Sequence, residues 1–271
     1  MEQELQPEQQ HQQEQVRYEF SIAGREIRLV DKEQTEQSFM NNTLYEVNLF
    51  GTKMGITETI QNTWIIMGVL IVFALFIRLS IKKFDKVPSG IQNFVEFIVE
   101  SFTNFTTSVM GKHNVKFAAF YMSMFLFILL ANLSGLFALR PPTADIATTF
   151  ALAITTFFMI HSFGIMSKGI VNYVKDFFKP MFILFPINVI GELAVPVSLA
   201  FRLFGNILGG AIIMALVYSI PFWPVTLFGI PAVLHGYFDL FAGLLQAFIF
   251  VMLSMTFVSS AIEHGEGPIE P

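Results

Sequence analysis

Residues 196–213 read PVSLAFRLFGNILGGAII, an apolar stretch holding a single charge, Arg202. No other lysine or arginine follows Lys179. Arginine keeps its charge at any physiological pH. At membrane depth such a charge costs at least ~2.5–3.5 kcal/mol on insertion scales, and charges kept there mark ion pathways, sensors or counter-ions. The surroundings of this stretch decide whether it lies at membrane depth.

The chain has 271 residues, 54% hydrophobic and 14% charged. A soluble domain is nearer ~45–50% apolar and ~25% charged. Several apolar runs reach the ~20 residues that cross a bilayer as a helix. They are far too long for barrel strands, and open sheets are excluded in lipid. The fold class is therefore an all-α polytopic membrane protein, with about five membrane helices and one amphipathic helix or hairpin. Cysteine is absent, which removes disulfides, cysteine metal sites and thiol catalysis. The net charge of −5 gathers toward the two ends and points to no nucleic acid. The sequence shows no solenoid repeat and no symmetry between two halves.

Two regions are expected: a polar external tail over residues 1–55, then one membrane domain over 56–271. The Gln/Glu-rich start, MEQELQPEQQHQQEQ, has too little apolar surface to fold and is expected to be disordered. It lacks the basic start and short apolar core of a cleaved signal. A first span is expected over 61–81, with Trp64 near one end and Arg78, Lys82, Lys83 and Lys86 at the other. A basic cluster just past a span is the positive-inside signal, so the tail lies outside. Over 89–110 Ile91, Phe94, Val95, Ile98, Phe102, Phe105 and Val109 recur at helical spacing among polar residues, as in an amphipathic helix. It would lie along the cytoplasmic interface or pack into the bilayer edge.

Further spans are expected over 117–139 and 146–166, separated by Arg140-Pro141-Pro142-Thr143. Lys168, Lys175 and Lys179 return the chain to the cytoplasm. Residues 181–219 and 225–262 remain, divided at Ser219-Ile220-Pro221-Phe222-Trp223-Pro224. Each is too long for a ~30 Å hydrocarbon core at 1.5 Å per residue. With Arg202 the only basic residue in them, an extra cytoplasmic turn is disfavoured. Two long, inclined helices in a hairpin fit best, with the C-terminus in the cytoplasm.

On a helix, Ser198, Arg202, Gly205, Asn206 and Gly209 share one face. The last helix carries His235, Asp239, Gly243 and Gln246 at i, i+4, i+8 and i+11. Glu192 lies ten residues before Arg202, and Asp145 sits in PPTAD. Carboxylates and imidazoles held in such places can pass protons. Plainer readings stand beside these. Gly205, Gly209 and Gly210 could be helix-packing contacts. His161 could be a satisfied packing histidine, and Asp145 a helix cap. Arg202 could form a structural ion pair with Glu192 or Asp239.

The string PVSLAFRLFGNILGG resembles the signature of subunit a of the rotary F-type ATP synthase, with the family's LRLFGN core present as FRLFGN. ANLSGL, PPTADIATTFALA and LLQAFIFVMLS resemble its other blocks, in the same order, over about Ile56 to Ile262. The resemblance implies a stator element beside a ring of c subunits, each with a membrane carboxylate. Peripheral-stalk b subunits and the rest of the complex are further implied partners. Two aqueous half-channels would end at different ring positions, with Arg202 between them. The implied ion-translocation residues are Arg202, Asn206, Gln246, Glu192 and Asp145, with Gln246 close to Arg202. Some family members carry glutamate where this chain has Ala211, and histidine where it has Asp239. Asp239, with His235 one turn before it, thus becomes the expected polar group of the outer half-channel.

These expectations describe a non-catalytic subunit with no cofactor or metal, in a bacterial plasma membrane, coupling H⁺ or Na⁺ flow to rotation. The ATP chemistry would belong to other subunits. The alternative is a secondary transporter with an intramembrane charged site; that class often shows inverted repeats and paired broken helices. A voltage sensor would need several regularly spaced arginines.

Overall fold

The computed structural model describes residues 19–22, 25–28, 43–49, 52–81, 89–137, 139–179, 181–218 and 229–263. The Gln/Glu-rich start, the cluster Lys82, Lys83 and Lys86, and the break at 219–224 lie outside the described residues. Within the polar N-terminal region two antiparallel hairpins appear. Strands β1 (Glu19–Ile22) and β2 (Arg25–Arg28) pair Glu19 with Arg28. Strands β3 (Thr43–Leu49) and β4 (Thr52–Thr57) pair Leu49 with Thr52. The second pair had a signal in the sequence, since Tyr45, Val47 and Leu49 alternate with Glu46 and Asn48.

Strand β4 runs directly into α1 (Glu58–Ser80), the first of five helices long and apolar enough to cross a membrane. Only Thr59, Asn62 and Ile66 of α1 are buried. Its other apolar side chains, such as Val69, Phe73 and Leu79, are exposed, as suits a helix surrounded by lipid rather than water. Two polar bonds hold α1 to the bundle near its start. Thr59 Oγ1 donates to Asp145 Oδ2 at 3.0 Å, and Asn62 Nδ2 donates to the Arg140 carbonyl at 2.9 Å.

Helix α2 (Ile91–Met110) is amphipathic. Its second half packs into the bundle, with Phe102 5.7 Å from Phe125 and Phe105 stacked 5.2 Å from Phe248. Thr106 and Met110 are fully enclosed, so the second half of its stripe faces protein, while Ile91, Phe94 and Ile98 in the first half stay exposed. Gly111, at φ +80°, ends it in a conformation that other residues adopt at a cost. Helix α3 (Ala118–Leu133) is flanked by 3₁₀ turns at Lys112–Phe117 and Ser134–Phe137. Helix α4 (Ile146–Lys168) and the short α5 (Ile170–Asp176) follow.

The remaining length forms two helices rather than four short spans. Helix α6 (Phe185–Tyr218) has 34 residues, about 51 Å at the helical rise. Helix α7 opens at Ile230–His235 behind Gly229, with Pro231 in its first turn, passes through a π-helical segment, Gly236–Ala242, and continues as Gly243–Glu263. Proline suits the first turn, where its missing N–H has no partner to lose. The π segment departs from the uniform helix expected here. It widens the turn, so residues on either side are rotated relative to an α-helical stripe.

The core lies among α3, α4, α6 and α7. Tyr121, Ile128, Ala153, Leu203, Phe250, Val251 and Met255 belong to one buried cluster. Small residues let the helices approach, and the Thr156 and Ser254 hydroxyls bond across α4 and α7 at 2.8 Å.

Candidate functional site

The chain directions define two ends. Helix α4 has 23 residues, so its ends stand about 35 Å apart. Asp145 marks one end and Lys168, with nearby Asp176, the other. Helix α7 returns to the Asp176 end, where Ser167 Oγ donates to the Ile262 carbonyl at 3.0 Å.

At the Asp145 end, the last turn of α6 meets the opening of α7. His235 Nδ1 and Asp239 Oδ2 are 2.6 Å apart, and Tyr218 Oη lies 3.2 Å from His235 Nε2. The Asp239 side chain is 18% exposed. Gly135 lies against it: a Cβ there would stand 3.1–3.2 Å from the Asp239 carboxyl atoms. Asp145 accepts from Ala147 N at 2.9 Å as the cap of α4 while also holding Thr59. The capping reading therefore describes its structural role.

Arg202 sits on the exposed side of α6. It makes no hydrogen bond or ion pair among the described residues, so a permanent pair with Glu192 or Asp239 is not formed. The Asn206 Nδ2 and Gln246 Nε2 atoms are buried and without a hydrogen-bond partner among the described residues. Gly210 packs on Phe238, its potential Cβ 3.2 Å from that ring. Eight residues back along α6 is Arg202, and eight onward along α7 is Gln246, at about the same level. Gly205 and Gly209 would carry a Cβ into open space. Of the three glycines, only Gly210 is a packing contact among the described residues.

At the Asp176 end, Glu192 lines a cavity of about 640 Å³ together with Lys168, Tyr173, Asp176, Asn188 and Ser260. That volume has room for on the order of ten or more waters, at about 30 Å³ each. Glu192 makes no hydrogen bond or ion pair among the described residues. Pro196 follows it by four residues and offers no N–H to its carbonyl. Asp176 accepts from Lys168 at 2.8 Å and pairs with Lys179 at 2.8 Å. These hydrogen bonds, Lys168 first, hold its carboxyl below the usual range. Burial pushes the Tyr173 phenol up to about 12, reinforced by the charges of Glu192 and Asp176. Asn188 Nδ2 donates to the Phe177 and Lys179 carbonyls, fixing the start of α6 against the exit of α5.

His161 differs from expectation. It packs 3.9 Å from the Phe157 ring, yet its buried Nδ1 has no partner among the described residues. The structure thus separates the sequence candidates into three places: His235 and Asp239 near Asp145, then Arg202, Asn206 and Gln246, then Glu192. Along α6, Glu192 stands about 15 Å and Tyr218 about 24 Å from Arg202 at the helical rise. Sequence reading missed Tyr218, which reaches His235 across the α6–α7 break, and Gly135, which meets Asp239 from over a hundred residues earlier in the chain. It also missed the cavity-lining Tyr173, Asp176 and Asn188.

A family model described as "ATP synthase A chain" matches residues 61–259. The "ATP synthase subunit a" of Moorella thermoacetica is 37% identical, over 78% of this chain and 92% of its own. The "ATP synthase subunit a, sodium ion specific" of Propionigenium modestum is 35% identical, over 78% and 76%. That of Trichlorobacter lovleyi is 36% identical, over 74% and 86%.

Proposed function

The chain belongs to the ATP synthase A chain family, a multi-pass membrane subunit that assembles with the rest of the ATP synthase, and on that premise we propose how its residues conduct the ion. The observation that carries the proposal is the exposed face of α6. There a guanidinium with no partner among the described residues stands one turn from Asn206, beside glycine steps, and Gln246 lies at about the same level on α7; the buried Asn206 and Gln246 amide nitrogens also lack partners among the described residues. A buried donor left unpaired costs about 1–3 kcal/mol, so this face suits a neighbour that brings an acceptor. The proposed neighbour is a carboxylate of the c-subunit ring, passing as the ring turns. Beside Arg202 the carboxylate is stabilised in its ionised form and releases its ion. Asn206 and Gln246 then orient it by donating hydrogen bonds.

Ions reach the ring from the outside through the Asp145 end, by way of Asp239 and His235, and leave to the cytoplasm through the cavity at Glu192. Asp145 shapes the outer mouth by holding α1 and capping α4. The fixed charge of Arg202 repels a cation that would cross directly, so the ion must travel with the ring. The membrane potential supplies about 2.3 kcal/mol per charge per 100 mV. The tail lies outside, the C-terminus in the cytoplasm of a bacterial cell, and b subunits hold the chain against rotation.

Arg202→Ala is expected to abolish ion-driven ATP synthesis and ATP-driven pumping when the complex is reconstituted in vesicles. Coupled synthesis surviving in that variant would end the proposal. Running the assay with and without sodium identifies the ion, which matters because one relative is named sodium ion specific.

A further inference from the structure

Asn132, near the end of α3, is fully buried and uses both ends of its amide. Its Nδ2 donates to the Gly243 carbonyl at 2.9 Å, and its Oδ1 accepts from Thr143 Oγ1 at 2.8 Å. Gly243 is the first residue after the π-helical segment. A Cβ on Gly243 would stand 3.1 Å from the Asn132 Cβ, so glycine admits this close approach. Less than one turn beyond Asn132, Gly135 lies against the Asp239 carboxylate, inside the π segment. One end of α3 therefore touches the π segment at its acid and just past its final residue.

A π turn inside an α-helix is rarely stable on its own and recurs at functional sites. Relaxing it to α-helix would rotate Asp239 relative to Gln246, because the two lie on opposite sides of its end. We propose that Asn132 is a positioning residue: its bond to the Gly243 carbonyl holds the π segment and sets the angular register between Asp239 and Gln246. Thr143 in turn fixes the Asn132 amide with its donor toward Gly243. The consequence for ion transfer rests on the function proposed above; the geometric claim does not.

The absence of cysteine allows a direct test in the assembled complex in its membrane. Gly135→Cys with Asp239→Cys forms a reporter pair between the turn after α3 and the π segment. Thr156→Cys with Ser254→Cys forms a control pair between α4 and α7, further along α7. In the otherwise native chain both pairs are expected to cross-link under mild oxidation. Adding Asn132→Leu, close in volume but unable to hydrogen-bond, is expected to lose the 135–239 cross-link while the 156–254 cross-link persists. An unchanged 135–239 cross-link would overturn the proposal. So would parallel loss of both, which would mean that α7 has come loose as a whole. Thr143→Val, which keeps the bond to Gly243, is expected to weaken the reporter cross-link only partly. Without engineered cysteines, Asn132→Leu is expected to lower ATP-driven pumping by roughly tenfold, since an ångström of misplacement can cost more than that. If the cross-links behave as stated and pumping does not fall, the register claim stands and the assigned role of Asp239 fails.

Discussion

Asp239 and Glu192 are both acids on long membrane helices, but their surroundings share little. Asp239 is bonded to His235, which is bonded to Tyr218, and Gly135 closes over the carboxylate. Glu192 faces a cavity of about 640 Å³ with no hydrogen bond or ion pair among the described residues. At the first end the protein supplies fixed partners, so under the proposed function a proton would move between atoms whose positions are already set. At the second end the volume admits water, which supplies mobile partners instead. The first end should be intolerant of small changes and the second forgiving.

The largest effect that would sharpen this contrast is expected from Asp239→Asn. It should cut passive ion conduction through membranes stripped of the soluble sector by roughly two orders of magnitude, the lower range for losing a proton-transfer group. Glu192→Gln should lower the same conduction by only a few fold, since water in the cavity can bypass the residue. Equal losses in the two variants would dissolve the distinction between the ends. Gly135→Ala, a single methyl group, should come next. It forces the Asp239 carboxylate to shift, an overpacking cost of about 1–3 kcal/mol, and should reduce conduction without reducing the amount of assembled complex.

Gly164→Ala offers the matching insult at the cavity end. The new Cβ would lie 2.8 Å from the Tyr173 ring edge, the far end of a side chain with open space beside it. Conduction should change little there, with about 1–3 kcal/mol lost in thermal unfolding of the purified complex. The smallest effect concerns Asp176. Its folded carboxyl value is lowered by Lys168 and Lys179. It therefore contributes stability above the ordinary carboxylate range and loses that stability as pH falls through the lowered value. Its side chain is 31% exposed, so the contribution is about 1 kcal/mol or less. Hydrogen exchange of amides 168–179 should rise on acidification, and Asp176→Asn should remove the dependence.

Much of the fold was legible because lipid demands long apolar helices, and their ends are marked by charge and proline. The two long helices around the final break, of 34 residues (Phe185–Tyr218) and 33 residues (Ile230–Ile262), follow from length against bilayer thickness. The π segment was not legible: GYFDLFA has no local signature, and what stands against it, Asn132 and Gly135, lies over a hundred residues earlier. The N-terminal hairpins were overlooked for another reason. Abundant Gln and Glu dominate the average composition and mask the short alternation at Tyr45, Val47 and Leu49. Of the site, the residue types on α6 and α7 could be read from helical spacing. Spacing alone could not say which glycines were filled, and only Gly210 was. Nor could it reveal that the His161 Nδ1 would lack a partner among the described residues.

Gly205 and Gly209 have a mechanical consequence. A surface that slides past another loses work at every side chain it must climb over, much as a bearing loses work to a rough race. Two glycine steps on either side of Asn206, with nothing against them among the described residues, would lower the relief of that track next to the one charge that the proposed partner would meet. Friction there would be set by electrostatic attraction rather than by steric catching, and attraction returns its energy when the next charge arrives.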